Sequence, residues 1–438
     1  MRKILSILWH YWLTQRRQFA SAEALHDWQD KRVQKFLKKV LAKSPFYATY
    51  YQGLDIEEWE TFPLMNKSLM MENFDRLNTV GITQVEAMAI AQKAETTRDF
   101  RSTLGPYTVG LSSGTSGNRG LFLVSQAEQR AWAGTLLAKA LPQSIFTHQR
   151  IAFFLRANSN LYETVQGQRI EFEYFDLFKP IENHIARLNF YEPTVLVAPA
   201  SMLRLLAEAL MRGELAIDPI RIVSVAEVLD PLDERVIVQA FGQKVHQLYQ
   251  CTEGFLATTC PEGTLHLNED ILVIQKDYLD RAAGKFSPII TDFNRVTQPI
   301  IRYRLDDVLT ERSEPCPCGS VLTAVEHIEG RCDDIFYLRS RTRSQRVPVF
   351  PDFIRRAVIL SSDVIQEYAV VQTQPETIQV FLKLPVEAWT TVTVKIENAL
   401  QSLFEQLGCD RPTIFFRPYE GRSQHDKKLR RIRRDFQV

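Results

Sequence analysis

Between residues 150 and 250 short apolar runs alternate with segments of helical spacing, and this alternation constrains the fold more than any other feature of the chain. The runs are RIAFFLRA (150–157), TVLVAPA (194–200), IRIVSV (220–225) and KVHQLY (244–249), each read as a strand. The segment SMLRLLAEALMRG (201–213) has helical spacing and stops at Gly213. Asp230 and Pro231 stand at the N-cap and N1 positions of the next helix, which stops near Gly242. Uninterrupted apolar strands alternating with capped helices predict a parallel sheet covered on both faces. Ligands of such sheets sit beyond the carboxyl ends of the strands. The sequences VAEVL from Val225 and QCTEG after Tyr249 therefore put Glu227 and Glu253 at one rim.

A glycine-rich loop precedes this sheet. LSSGTSGNRG (111–120) lies between two further strand candidates, YTVGLSS (107–113) and LFLVS (121–125). Ser125 and Glu128 then form a capping-box pattern that opens a helix. Glycines let backbone N–H groups converge on a phosphate, and hydroxyls add donors. A Walker loop requires Lys-Ser or Lys-Thr after its last glycine and then a helix, whereas Gly117 is followed by Asn118, Arg119 and a strand. No G-x-G-x-x-G opens a helix either. Taken alone, the loop reads equally well as a polar hairpin turn.

After about residue 330 the pattern changes. VIQEYAVVQT, TIQVFLKL and TIFFRPY read as strands, and PDFIRRAVIL and AWTTVTVKIENALQSLFEQL as helices. The expected fold class is α/β: a large N-terminal domain (1–330) with mixed or parallel sheets flanked by helices, then a small α+β domain (331–438), divided within EHIEGRCDD. Nearer the start, Val33, Phe36, Leu37, Val40 and Leu41 share one helical face, and Pro45 breaks that helix. The N-terminal MRKILSILWHYWLTQRRQ has a basic end and an apolar centre without a small-residue cleavage site. It reads as an amphipathic helix docked on the fold, with a peripheral membrane anchor as the alternative. The net charge of +1 does not call for a polyanionic partner, and no run reaches the length of a membrane span. Six cysteines in 438 residues do not make a disulfide framework and point to a reducing, cytoplasmic compartment.

Four motifs in order give the glycine loop its context. Ser112 to Gly117 reads S-S-G-T-S-G, Tyr249 to Glu253 reads Y-Q-C-T-E, Tyr303 to Asp307 reads Y-R-L-D-D, and Gly330 to Asp333 reads G-R-C-D. In this order they resemble the adenylate-forming superfamily. The branch that is most similar is the phenylacetate–CoA ligase type, with the related synthetase that adenylates a deazaflavin coenzyme; SVAEVL, CPEGTLHL and CPCG add to that resemblance. It implies that Ser112, Ser113, Gly114, Thr115, Ser116 and Gly117 wrap the β- and γ-phosphates of ATP. Ala226 and Glu227 would lie beside adenine and Tyr249 would stack near it. Thr252 would touch the α-phosphate, and Glu253 would hold Mg²⁺. Asp307 would accept the ribose hydroxyls with help from Arg331, and Asp333 would be the hinge of a mobile C-terminal domain. Lys428, or Lys427 beside it, would reach the reacting carboxylate. Arg119-Gly120 stands where Pro-Lys is common in the superfamily, Gln250 replaces a glycine after Tyr249, and Asp306 replaces a glycine before Asp307.

The activity implied is that of an AMP-forming acid–thiol ligase: ATP-dependent activation of an aromatic or medium apolar carboxylic acid to an acyl-adenylate, then a thioester with CoA or an acyl carrier protein. Adenylyl transfer to a coenzyme's hydroxyl and a silent, zinc-stabilised binding protein are the alternatives. A homodimer is also allowed; nucleic acid is not expected, since the basic tail RSQHDKKLRRIRRDFQV coincides with the segment carrying the mobile lysine. The acyl pocket is expected to draw on Phe153, Phe154 and residues near Ala198 to Met202. Cys260-x5-His266 and Cys316-x-Cys318 supply three thiolates and one imidazole, the donor set of a tetrahedral structural zinc site, against a reading as unrelated reduced thiols. His148, His184, His246, His327 and His425 show no metal spacing. Ser201 follows a strand but lacks the G-x-S-x-G elbow, and reads as a helix N-cap.

Overall fold

The computed structural model describes residues 2–97, 103–111, 120–155, 169–177, 179–342, 346–420 and 430–436. The chain divides into two compact units, Met1–Leu305 with Glu311–Glu326, and Asp306–Thr310 with His327–Val438. The fold is α/β, a large mixed sheet flanked by helices followed by a smaller α+β unit.

In the first unit, strands β1 (Thr103–Leu104), β2 (Tyr107–Leu111) and β3 (Leu121–Ser125) form a small antiparallel sheet, with Leu111 opposite Leu121. The main sheet begins with β4 (Gln149–Leu155), β5 (Ile170–Asp176), β6 (Val195–Ala198), β7 (Arg221–Val225) and β8 (Val245–Gln250). These five are parallel, in the order β5-β4-β6-β7-β8. The apolar runs of the sequence thus form the parallel core, because strands covered on both faces need no alternation. β9 (Phe255–Thr259) and β10 (Leu265–Leu267) continue it antiparallel from β8. β11 (Val273–Asp280), β12 (Lys285–Asp292) and β13 (Ile300–Arg304) form an antiparallel set. These strands are of mixed polarity and carry no long apolar run, and sequence reading left them unassigned.

The N-terminal helix Arg2–Arg16 docks on the helix Gln126–Ala140. Gly134 lets the two backbones meet: a Cβ there would lie 2.4 Å from the carbonyl oxygen of Ile7. The next helix, Ala22–Leu41, buries Val33, Phe36, Leu37 and Val40. Pro45 opens a new short helix, Pro45–Tyr50, capped by Ser44.

The division between the units falls within β14 (Asp307–Glu311) and β15 (Ala324–Arg331), and the second unit continues with the hairpin β16 (Phe336–Arg339) and β17 (Arg346–Val349). Then come β18 (Glu367–Gln374), β19 (Thr377–Lys383), β20 (Thr413–Pro418) and β21 (Ile432–Arg434), in sheet order β20-β19-β18-β21. Helices Pro351–Ile359 and Trp389–Gln406 accompany this sheet, and Val392, Ile396, Leu400 and Phe404 are the buried stripe of the longer one. β21 lies inside the basic tail, where Ile432 is its one buried apolar residue.

Candidate active site

β7 and β8 are parallel neighbours, so the segments after their carboxyl ends share one edge of the first unit. The β8–β9 pairing shifts register between Tyr249 and Gln250, a bulge that re-aims the following turn. Cys251 N–H donates to the Gly254 carbonyl at 3.0 Å and closes that turn around Thr252 and Glu253. The Thr252 hydroxyl donates to Glu253 Oε2 at 2.7 Å, and the buried Tyr303 hydroxyl donates to Glu253 Oε1 at 3.2 Å. Each carboxylate oxygen is therefore fixed by one hydroxyl and keeps a second lone pair. A hard divalent cation takes such oxygens, so the residues present fit Mg²⁺.

Arg295 holds the same turn from below, its Nη1 donating to the Thr252 carbonyl. Its Nη2 is buried and has no hydrogen-bond partner among the described residues. Burial pushes the nearby Asp292 carboxyl up to about 6, although Arg295 and the Asn294 N–H act in the opposite direction. Glu128 anchors the loop that carries Arg295. Its Oε1 accepts the Val296 and Thr297 N–H groups at 2.6 and 2.8 Å, while Oε2 accepts the Ser125 N–H at 2.7 Å. The Gln298 side chain completes this link, accepting from Leu123 N–H at 2.7 Å and donating to the Leu121 carbonyl at 3.1 Å. The exit strand β3 and the Glu253 turn thus share one support. Sequence reading assigned Glu128 only to a helix cap and gave Arg295 and Tyr303 no role. The signal for Tyr303 was present in IIRYRLDD; nothing local marks Arg295.

Ala226 has φ +64°, a left-handed backbone at the end of β7 that turns Glu227 aside. Glu227 Oε2 accepts the Ser201 N–H at 3.0 Å, so this carboxylate satisfies the first turn of the helix Ala200–Met211. The expected N-cap role of Ser201 is corrected: Pro199 is the cap residue, without a side-chain bond, and Ser201 lies inside the helix. Tyr249 is half-buried in β8 opposite Ala257. A second correction concerns the acyl pocket. Phe153 and Phe154 alternate to opposite faces of β4, Phe153 packing with Val197 and Val223 and Phe154 with Ala198, Met202 and Leu203, so the two cannot line one cavity.

In the second unit, Arg331 Nε lies 3.7 Å from Asp307 Oδ1. The Asp306 carbonyl accepts the Cys332 N–H at 2.6 Å, and Asp334 Oδ2 accepts the Arg331 N–H at 3.2 Å. Asp306 and Gln250 do not have positive φ, so neither position needs the glycine found there in the superfamily. Asp333 falls in the short turn Cys332–Asp334. Ser112, Ser113, Gly114, Thr115, Ser116, Gly117, Lys427 and Lys428 lie outside the described residues, as does the side chain of Asp333.

The four cysteine and histidine residues singled out by spacing come together in the first unit, every pair of donor atoms within 4.8 Å. The β9–β10 hairpin supplies Cys260 and His266, and the turn at Gly319 (φ +72°) supplies Cys316 and Cys318. Cys260 Sγ lies 3.8 Å from Cys316 Sγ, and Cys318 Sγ lies 3.4 Å from His266 Nε2. His266 Nδ1 faces the Leu322 carbonyl at 2.9 Å, which leaves Nε2 directed at the thiols.

No family model matches the chain, and no curated protein matches it. Solved structures do. A 2-hydroxyisobutyryl-CoA ligase in the postadenylation state with 2-HIB-AMP superposes with a TM-score of 0.71 at 16% identity, covering 96% of this chain and 91% of that one. The anthranilate CoA ligase AuaEII with anthranoyl-AMP gives 0.51 at 12% identity over 74% and 66%. The amide bond synthetase McbA from Marinactinospora thermotolerans gives 0.50 at 13% over 72% and 66%. Over nearly its whole length, this chain has the fold of adenylate-forming CoA ligases.

Proposed function

We propose that the protein is an AMP-forming carboxylate ligase that makes an acyl-adenylate and passes the acyl group to the thiol of CoA. The observation that carries this reading is the Glu253 carboxylate, held by the Thr252 and Tyr303 hydroxyls after the last parallel strand of a fold shared with a ligase solved with an acyl-AMP. A carboxylate is a poor acyl donor because oxide would have to leave. Its oxygen attacks the α-phosphorus of ATP, the bond to the bridging oxygen breaks, and pyrophosphate departs. The thiolate sulfur then attacks the acyl carbon, and AMP leaves.

The protein's task is to position these groups and offset their charge. Ser112 to Gly117 cradle the β- and γ-phosphates. Glu253, oriented by its two hydroxyls, would hold Mg²⁺, which would supply charge neutralisation for the departing pyrophosphate. Arg295 adds Nη2, which has no hydrogen-bond partner among the described residues, as a phosphate donor beside Thr252. Ala226, Glu227 and Tyr249 border the adenine; Asp307, oriented by Arg331, accepts the ribose hydroxyls. Lys428, with Lys427 as its neighbour, supplies the cation for the reacting carboxylate, and Asp333 is the hinge on which its domain turns between the half-reactions. The 2-hydroxyisobutyryl-CoA ligase has been solved with both 2-HIB-AMP and CoA, which favours a thiol acceptor.

We assign structural zinc to Cys260, His266, Cys316 and Cys318. Tetrahedral bonds of about 2.3 Å to sulfur and 2.0 Å to nitrogen imply edges of about 3.8 Å between thiolates and 3.5 Å between thiolate and imidazole. The observed 3.8 and 3.4 Å match both.

Pyrophosphate release measured across a carboxylate library, with and without CoA, tests the ligase reading. Release should depend on one class of small acid and turn over only with CoA. A stable adenylylated product with no thiol present would shift the reading to a hydroxyl acceptor, and failure to bind ATP in calorimetry would refute it.

A further inference from the structure

The N-terminal helix Arg2–Arg16 is apolar on the wrong side. Ile7 and Thr14 are buried against the fold, and the Thr14 hydroxyl meets that of Thr135 at 3.3 Å. Leu5, Trp9, Trp12 and Arg16 follow one another at i, i+4, i+7 and i+11, which makes a single stripe on the opposite, outward side. Leu5 is 59%, Trp9 56% and Trp12 43% exposed, with Ile4 at 54% on their flank. A helix on the surface of a water-soluble domain normally carries charge there. Here the two indoles stack on each other instead, centroids 5.4 Å apart, and the Arg16 guanidinium lies 4.3 Å above the Trp12 ring.

The charge on this helix selects what covers the stripe. Arg2, Lys3 and Arg16 are its only charged residues, all cationic, and Lys3 and Arg16 are exposed. A second copy packed on the stripe would bury the Arg16 of each against a helix that carries no acid to offset it. An anionic surface opposes Arg16, the exposed cation that continues the stripe. Paired tryptophans with a cation at the end of an apolar stripe are also what the headgroup boundary of a bilayer accommodates. No helix among the described residues is long and apolar enough to cross a membrane, so the contact is with one leaflet.

We propose that the Leu5–Trp9–Trp12 stripe seats the protein on an anionic lipid bilayer, the helix lying in the plane of the headgroups. The helix is held to the body by the close approach at Gly134, so it reaches the surface as part of the folded first unit. The inference is independent of the ligase reading, since none of these residues belongs to the candidate active site.

Sedimentation of the full-length protein with vesicles tests it. Binding should be strong to phosphatidylcholine–phosphatidylglycerol vesicles, weak to phosphatidylcholine alone, and reduced by salt that shortens the screening length. Indole emission should shift to the blue on binding. Trp9→Glu should lower the partition constant at least about tenfold, the factor expected for losing burial of one large side chain. Arg16→Gln should lower it about fivefold or more on anionic vesicles only. Both positions are exposed, so melting curves should not move. Absence of vesicle binding, equal binding by Trp9→Glu, or a solution dimer that Trp9→Glu dissociates would each overturn the proposal.

Discussion

Replacing Arg295 by methionine separates support of the site from support of the fold. The change removes the charge-assisted bond from Nη1 to the Thr252 carbonyl and the donor at Nη2. A hydrogen bond to a charged group contributes about 1.5–3 kcal/mol. At about 1.4 kcal/mol per tenfold change in rate, loss of the Thr252 bond alone lowers kcat/KM about 10- to 150-fold. ATP–pyrophosphate exchange with the cognate acid reads this directly. Loss of the phosphate donor raises KM for ATP, and loss of the Thr252 bond lowers kcat. Arg295→Lys, able to reach one acceptor but not two, should fall between. The stability profile gives an independent readout. Asp292 has a folded pKa of about 6, raised by burial, and Arg295 is the cation restraining it. A carboxyl raised above its unfolded value stabilises the fold below about pH 4 and loses that contribution as pH rises through 6. Without Arg295 the folded value climbs further, so the melting temperature of Arg295→Met should keep falling at pH values where the parent has levelled off. Exchange within about twofold of the parent, with unchanged KM for ATP, would refute the assigned role.

The other expectations follow from single contacts. Glu253→Gln should lower exchange at least about a hundredfold with an unchanged melting curve, because an amide binds a hard cation poorly; retained activity would remove Glu253 from the metal site. Purified protein should contain about one equivalent of zinc, and Cys316→Ser should lose both the metal and several degrees of melting temperature; a metal-free parent of equal stability would end the zinc assignment. Glu128→Ala orphans three backbone N–H groups, those of Ser125, Val296 and Thr297. At about 1–3 kcal/mol each the cost is about 3 kcal/mol or more, and a denaturant shift below about 1 kcal/mol would contradict the hub described for this side chain.

The parallel strands were legible because β4, β6 and β7 carry short apolar runs and the helices between the strands carry their own caps, Asp230 and Gly242 among them. The cysteine cluster was legible because chemistry at short spacing survives folding. The antiparallel strands β9 to β13 were not, since they are short and of mixed polarity, although each pairs with a neighbour in the chain. β21 hid in a basic tail where a single isoleucine is the apolar signal. At the site, Glu253 and Glu227 were placed at strand ends by their neighbours in sequence. The role of Glu128 could not be, because its partners lie 168 and 169 residues away. Phe153 and Phe154 show the opposite error: adjacency in sequence suggested a shared pocket, and the pleat sends them to different faces.

The distant stitching has a consequence for how the molecule comes into being. Met65 exchanges backbone hydrogen bonds with Arg302 and Arg304, and Thr79 N–H donates to the Thr297 carbonyl. Together with Glu128, these contacts mean that residues emerging early from the ribosome wait for the stretch 296–304 before they can close. Synthesis at about 5–20 residues per second makes that interval about eight seconds or more. A fragment that ends before residue 292 would lack the partners of Met65, Thr79 and Glu128, so the smallest heritable piece that holds the Glu253 turn in place is nearly the whole first unit.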